Sequence, residues 1–240
     1  MLGEALWARS IASTSVNRTV VEGDVVRKTR RLDAGVTIAA GNAFFALAGA
    51  SFRMFVRTEA WAARERAAFR ALHGVDVAGE GRTLVFPRLP GVDLATQAPD
   101  ARALVAAGRC LREAHARNGF THGDAHLGNY LYEPGEGRCR LIDFDAEHVA
   151  SLSGDARRDD DVAVLVLDLI GRCGVEEARR LCAAFFDGYQ PDRRCVGAVC
   201  EALEVPSGLA GVLMLSRAHG RSREELERGF EAVRGALSAR

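Results

Sequence analysis

The chain has 240 residues, with 32 Lys+Arg against 32 Asp+Glu, so its formal net charge is zero. That balance provides no bulk attraction to nucleic acid or to an anionic membrane, and the length suffices for one bilobal domain or two small ones with a substantial core. Its six cysteines, Cys110, Cys139, Cys173, Cys182, Cys195 and Cys200, form no C-x-x-C pair and no zinc-spaced Cys/His cluster, which is the pattern of reduced core thiols in a cytosolic protein.

Residues 1–15 lack the basic start and long apolar run of a secretion signal. Ser13-Thr14-Ser15-Val16-Asn17 reads as a polar turn or strand connection without glycine. Val20-Val21 and Val25-Val26 flank Gly23-Asp24, which predicts two strands about a tight turn, with Lys28 just after the second apolar pair. Residues 35–50, GVTIAAGNAFFALAGA, are rich in Ala, Gly and Phe but are interrupted by Asn42 and bounded by Arg31 and Arg53. The run falls short of the ~20 apolar residues of a spanning helix. A packed helical insertion is expected, and contact with a membrane surface is the alternative.

Residues 58–73 form a helix by composition, and Trp61, Glu65, Ala68 and Leu72 share one face at spacings of four, three and four. A carboxylate on that apolar stripe calls for a partner. Lys28 is the expected one, with Glu59 as the alternative acid. Thr83–Pro87 reads as a short strand broken by Arg88-Leu89-Pro90-Gly91. Asp100 is placed to cap a helix through about Arg117 that turns Leu104, Leu111 and His115 inward and ends at Gly119.

The segment 121–145, THGDAHLGNYLYEPGEGRCRLIDFD, is the most informative of the chain. It carries Asp124, then Asn129 five residues later. A predicted hairpin through Glu133-Pro134-Gly135-Glu136-Gly137 follows, and Asp143 lies at its far end. Asp and Asn are common in turns for their own backbone hydrogen bonds, but this ordered set also supplies a carboxylate able to orient a hydroxyl and oxygen ligands for a divalent cation. His122, two before Asp124, is expected to brace the loop, and His126 either meets a ligand or caps the turn. Beyond it, Arg157-Arg158-Asp159-Asp160-Asp161 leads into an apolar helix over 162–170. The three acids suit a helix start, and Asp161 is the candidate for a buried acid pinning the loop. The last helix is expected to begin with a capping box, Ser222 and Glu225, and to bury Leu226, Phe230, Val233 and Leu237.

His122-Gly123-Asp124, Asn129 and Ile142-Asp143-Phe144-Asp145, preceded in order by Lys28 and Glu65 and followed by Asp161, make the chain resemble the protein-kinase-like superfamily and, within it, the small aminoglycoside-phosphotransferase-like branch. The tight match covers about residues 121–145. The resemblance implies an α+β bilobal fold, with a small β-rich N-lobe over 1–87 carrying the helical insertion and a mainly helical C-lobe over 88–240. It implies ATP and Mg²⁺ as cofactors. Asp124 would orient and deprotonate the acceptor hydroxyl, with His122 bracing the loop, and Asn129 and Asp143 would bind the metal. Lys28, paired with Glu65, would hold the phosphates, the turn at Ser15 would cover them, and the backbone of Leu89 would meet the adenine.

Two features depart from the family pattern. The glycine-rich loop is missing, and Asp145 stands where D-F-G has its glycine. No A-P-E motif follows, and the short stretch from Asp143 to Asp161 leaves little room for an activation segment. The compact length and the W-x-x-x-E helix, Trp61 to Glu65, are similar to bacterial lipopolysaccharide-core kinases acting on heptose or Kdo. The implied acceptor is then a lipid-linked sugar, and the implied location cytoplasmic with possible peripheral inner-membrane contact. The competing readings are an aminoglycoside-like small-molecule kinase, a small atypical kinase or ATPase of the tRNA-modification type, and a pseudokinase scaffold. Nucleic acid is not an expected partner.

Overall fold

The computed structural model describes residues 16–96, 99–117 and 119–238. Its architecture is α+β, with small antiparallel sheets followed by a mostly helical remainder. Strands β1 (Asn17–Glu22), β2 (Val25–Arg30) and β4 (Thr83–Pro87) form one sheet in the order β1-β2-β4. The β1–β2 turn is the expected one: Gly23 adopts φ +60, open to glycine at no steric cost. The register sets Lys28 between Thr19 and Leu84, with its side chain buried.

Helix α1 (Ala34–Leu47) is the expected insertion. Asn42, the polar interruption, donates from Nδ2 to the Met54 carbonyl at 2.8 Å and accepts the Met54 N–H at 2.9 Å. The apolar tail after α1 is a strand, β3 (Phe52–Met54), paired antiparallel with β8 (Ala146–His148). That long-range pair was not foreseen, because three residues carry no period of their own. No helix among the described residues is long and apolar enough to cross a membrane.

Helix α2 (Thr58–His73) has the expected bounds, ending at Gly74 in the left-handed region, φ +70. It buries Trp61, Glu65, Ala68 and Phe69. Strand β5 (Val92–Asp93) joins the hairpin β6 (Tyr130–Glu133) and β7 (Arg138–Leu141). Helix α3 (Ala101–His115) is capped by Asp100, which accepts the Ala103 N–H at 2.8 Å. It stops at His115, and Gly119, expected to end it, lies in the following turn at φ +70.

The remaining helices are α4 (Gly154–Arg172), α5 (Val175–Tyr189), α6 (Arg193–Ala202), α7 (Gly208–Ser216) and α8 (Arg223–Ser238). Helix α4 corrects one expectation. Ser153 caps it at the Ala156 N–H, so Asp159, Asp160 and Asp161 lie inside the helix, and their role is to partner other groups. Helices α3 and α5 pack at backbone contact: a Cβ on Gly108 would fall 2.2 Å from the Phe185 carbonyl oxygen, and one on Gly188 2.0 Å from that of Val105. The α8 capping box forms as expected, with Ser222 N–H to Glu225 Oε2 at 2.8 Å and Glu225 N–H to Ser222 Oγ at 3.2 Å. One apolar cluster runs from Trp61 and Leu84 through Leu104, Phe144 and Leu165 to Phe230, holding the β-rich and helical parts against each other.

Candidate functional site

The chemistry-bearing side chains converge where β2, α2 and the segment after β7 meet. Lys28 Nζ lies 2.5 Å from Glu65 Oε1, 2.7 Å from Asp143 Oδ1 and 2.7 Å from Asp145 Oδ1. The expected partner of Glu65 is therefore present, joined by two acids from 115 and 117 residues downstream. Glu59, the alternative acid, is exposed beside Arg57 and takes no part in the cluster.

Three carboxylates share one ammonium, and burial and charge together set the titration of the cluster. Burial opposes a charged Lys28, but Asp143, Asp145 and Glu65 together outweigh it and hold the ammonium well above its ordinary value. Asp143 is pushed up, first by desolvation and then by Asp145, with Lys28 only partly compensating. Asp145 is pushed up by desolvation as well, against the pull of Lys28. Lys28, Asp143 and Asp145 are thus all raised, the two acids chiefly by desolvation, although Asp143 keeps 42% of its side chain exposed.

Oxygens of Glu65, Asp143 and Asp145 lie within 4.8 Å of one another. Hard oxygen donors with excess negative charge suit Mg²⁺. Asp143 adds a strained backbone: it is a non-glycine residue at φ +64. Aspartate tolerates that region better than most residues, and such strain concentrates at ligand sites. The residues present thus fit a divalent cation.

Asp145 was noted in the sequence only as a departure from D-F-G. In the structure it accepts from Asn17 Nδ2 at 2.5 Å, Trp61 Nε1 at 2.6 Å and Lys28. Its position two residues beyond Asp143 was the available signal, but no pattern named its donors.

The Asp124 loop lies beside this cluster through the hairpin, where the Ile142 N–H donates to the Asn129 carbonyl at 3.0 Å. Asn129 is buried, and its Nδ2 donates to the Asp124 carbonyl at 2.8 Å, leaving Oδ1 as the acceptor end of the amide. His122 is fully buried, and its Nε2 lies 3.0 Å from the Ile142 carbonyl. Burial pushes its imidazole below the ordinary value.

Asp161 accepts the His122 and Gly123 N–H groups at 2.7 and 2.8 Å and meets His115 Nε2 at 3.0 Å. Gly123 sits at φ +86, and a Cβ there would crowd the Ala146 and Glu147 backbone at 3.1 Å. A second pin was missed. Asp168, two helical turns on, accepts the Leu127 N–H at 2.9 Å and pairs with Arg172 and His219. Desolvation works against ionisation of both acids. It is overcome by the His115 hydrogen bond at Asp161 and the His219 hydrogen bond at Asp168, so both are held below the ordinary carboxylate range. The spacing of seven was the available clue.

Asp124 itself presents a partly exposed carboxylate. Arg217 Nη2 is 3.2 Å from its Oδ1 and His126 Nε2 is 3.8 Å from its Oδ2. The first contact is an ion pair without the alignment of a hydrogen bond, since Oδ1 is buried and has no hydrogen-bond partner. Leu89 is half-buried in the connection after β4, packed on the core. Ser15 lies outside the described residues. All six cysteines are unpaired, and burial pushes the Cys110 thiol up to about 12.

No protein-family model matches the chain, and no curated protein matches it. Among solved structures, the chain is similar to the bifunctional kinase-methyltransferase WbdD, at 18% identity over 76% of this chain and 46% of that one, with a TM-score of 0.33. The chain spans about half the length of that protein.

Proposed function

We propose that this chain is an ATP- and Mg²⁺-dependent phosphotransferase acting on a hydroxyl acceptor, built as a β-rich N-lobe over 1–87 and a helical C-lobe over 88–240. The observation that carries this reading is the buried Lys28, held at once by Glu65 from α2 and by the acids of the Asp143–Asp145 segment. A lysine so placed keeps its charge at neutral pH and is poised to grip phosphate oxygens. Asp143, Asn129 and, from the same cluster, Asp145 would hold Mg²⁺, whose contribution when bound is to neutralise charge on the phosphates.

Asp124 accepts the acceptor hydroxyl's proton and aims its oxygen, with its backbone fixed by Asn129, Asp161 and Asp168. His122 keeps the loop dry and rigid and exchanges no proton with substrate. Leu89 is the proposed adenine contact. A scaffold without catalysis is disfavoured by the presence of the whole set, Lys28, Asp124, Asn129 and Asp143.

The acceptor we favour is a lipid-linked sugar, reached at a membrane surface. Support comes from α1, which leaves Val36 79% and Leu47 76% exposed beside Leu32 at 86%. Large apolar side chains so exposed along one segment suit contact with an apolar surface.

Transfer of labelled γ-phosphate is the test. Asp124→Asn is expected to keep nucleotide binding and to lose ~10²-fold or more in transfer, the usual contribution of a general base. Unchanged transfer in that variant refutes the role of Asp124, and absence of any ATP- and Mg²⁺-dependent transfer across sugar and lipid-sugar acceptors argues against the enzyme reading.

A further inference from the structure

Arg217 follows α7 and reaches back to the loop from the far end of the chain. Its guanidinium lies over the Phe52 ring at 4.6 Å to the centroid, and its Nη2 is 3.2 Å from Asp124 Oδ1. The side chain is 28% exposed. A guanidinium carries five N–H donors, yet among the described residues this one makes no side-chain hydrogen bond, its Asp124 contact being an unaligned ion pair. A half-buried, ring-held cation with unused donors is preorganised for a ligand acceptor group.

The basic side chains beyond Arg217 are already partnered: Arg172 and His219 pair with Asp168, and Arg221 pairs with Glu225. His126 flanks the other oxygen of Asp124 at 3.8 Å. The segment continuing from Arg217 lines a cavity of about 540 Å³ with His219 and Arg221, opposite Leu127 of the loop and Arg172 of α4. Glu225 is the carboxylate among its lining residues, and it pairs with Arg221. A cationic group next to the acceptor hydroxyl at Asp124 would meet the like charge of Arg217.

We infer that Arg217 is an acceptor-recognition residue, and that the hydroxyl compound this site phosphorylates carries an anionic group, a phosphate or carboxylate, next to the hydroxyl presented to Asp124. The inference rests on the phosphotransferase reading and names its substrate class. The anion has two possible sources, a soluble sugar acid or phosphate and the headgroup of a lipid, and both present the same oxygens to the guanidinium.

The test is binding to the full chain with Mg²⁺ and a non-hydrolysable ATP analogue present, read by calorimetry. The soluble arm compares glucose 6-phosphate and glucuronate with glucose and glucosamine. The lipid arm compares phosphatidylglycerol vesicles with phosphatidylcholine vesicles. Anionic probes in at least one arm are expected to bind about tenfold more tightly than the neutral ones, and the arm that responds identifies the source.

Arg217→Gln is expected to erase that preference and Arg217→Lys to restore part of it. Melting curves of both variants separate recognition from loss of the Phe52 contact, and Arg217→Lys carries the test if Arg217→Gln fails to fold. Equal or tighter binding of glucose or glucosamine, a preference that survives Arg217→Gln, or no binding of any anionic probe overturns the inference. Binding of the ATP analogue that still requires Mg²⁺ leaves the phosphotransferase reading standing in each of those cases, and its loss removes that reading instead.

Discussion

Asp161→Asn is the most informative single perturbation of the scaffold. The wild-type carboxylate is wholly buried and accepts two backbone N–H groups, at 2.7 and 2.8 Å, and the His115 ring at 3.0 Å. An amide keeps the shape but turns one acceptor into a donor. One backbone N–H then faces an NH₂ group, and the charge that strengthened the other bonds is gone. A buried unsatisfied donor costs about 1–3 kcal/mol, and breaking a buried charged network about 3–5 kcal/mol. We expect a loss of about 3–5 kcal/mol. For a chain of this length that is a fall in Tm of roughly 6–20 °C, at about 2–4 °C per kcal/mol.

Thermal and urea unfolding followed by circular dichroism measure it. The residual folded protein should also lose transfer activity, because the Asp124 loop is no longer fixed. A stability loss below about 1 kcal/mol would show that Asp161 does not hold the loop, and full activity in the folded variant would show that holding it does not matter.

Asp168→Asn is expected to cost less stability than Asp161→Asn, since it loosens one loop N–H at the partly open end near His219. It should lower kcat more than it raises KM for ATP, a split that steady-state kinetics reads. Glu65→Gln leaves Lys28 with Asp143 and Asp145, so the fold should lose only about 1–2 kcal/mol, less than for a pair broken outright. kcat/KM for ATP should fall about tenfold or more as the lysine shifts; an unchanged value contradicts the pairing role.

Acid stability follows from the pins. Asp161 and Asp168 have folded values below their unfolded ones. Their contribution is therefore present above the ordinary carboxylate range and is lost as pH falls through and below it. Urea midpoints measured from neutral pH downward should drop more shallowly in Asp161→Asn than in wild type.

The sequence made the site's parts legible in proportion to how local they are. The Asp124–Asn129–Asp143 set lies within one loop and one hairpin, and the α2 stripe announced Glu65 by its period. Even Asp161 was readable as an acid on an apolar helix. The misses are long-range. Asp145 gains its role from Asn17, Lys28 and Trp61, none of which a local pattern links to it. Asp168 gains its role from His219 and Leu127, which no local pattern links to it. Arg217 sits 93 positions from Asp124, the difference of their numbers, after a helix with little polarity to orient it. Asp159 and Asp160 fall inside the helix rather than at its start because Ser153, the true cap, precedes them by a polar stretch with no apolar period.

The central claim is that the Lys28–Asp143 cluster is a metal-dependent nucleotide site, and a thermal-shift titration with ATP and Mg²⁺, singly and together, on wild type and Asp143→Asn tests it most directly. Asparagine tolerates the φ +64 backbone of this position, so the substitution removes the charge and spares the turn. A ligand at about 100 times its Kd stabilises by about 2.7 kcal/mol, or roughly 5–11 °C here. The account predicts a shift of that order in wild type that requires both ATP and Mg²⁺ and disappears in Asp143→Asn. A shift indifferent to Mg²⁺, or one that Asp143→Asn retains in full, would contradict it.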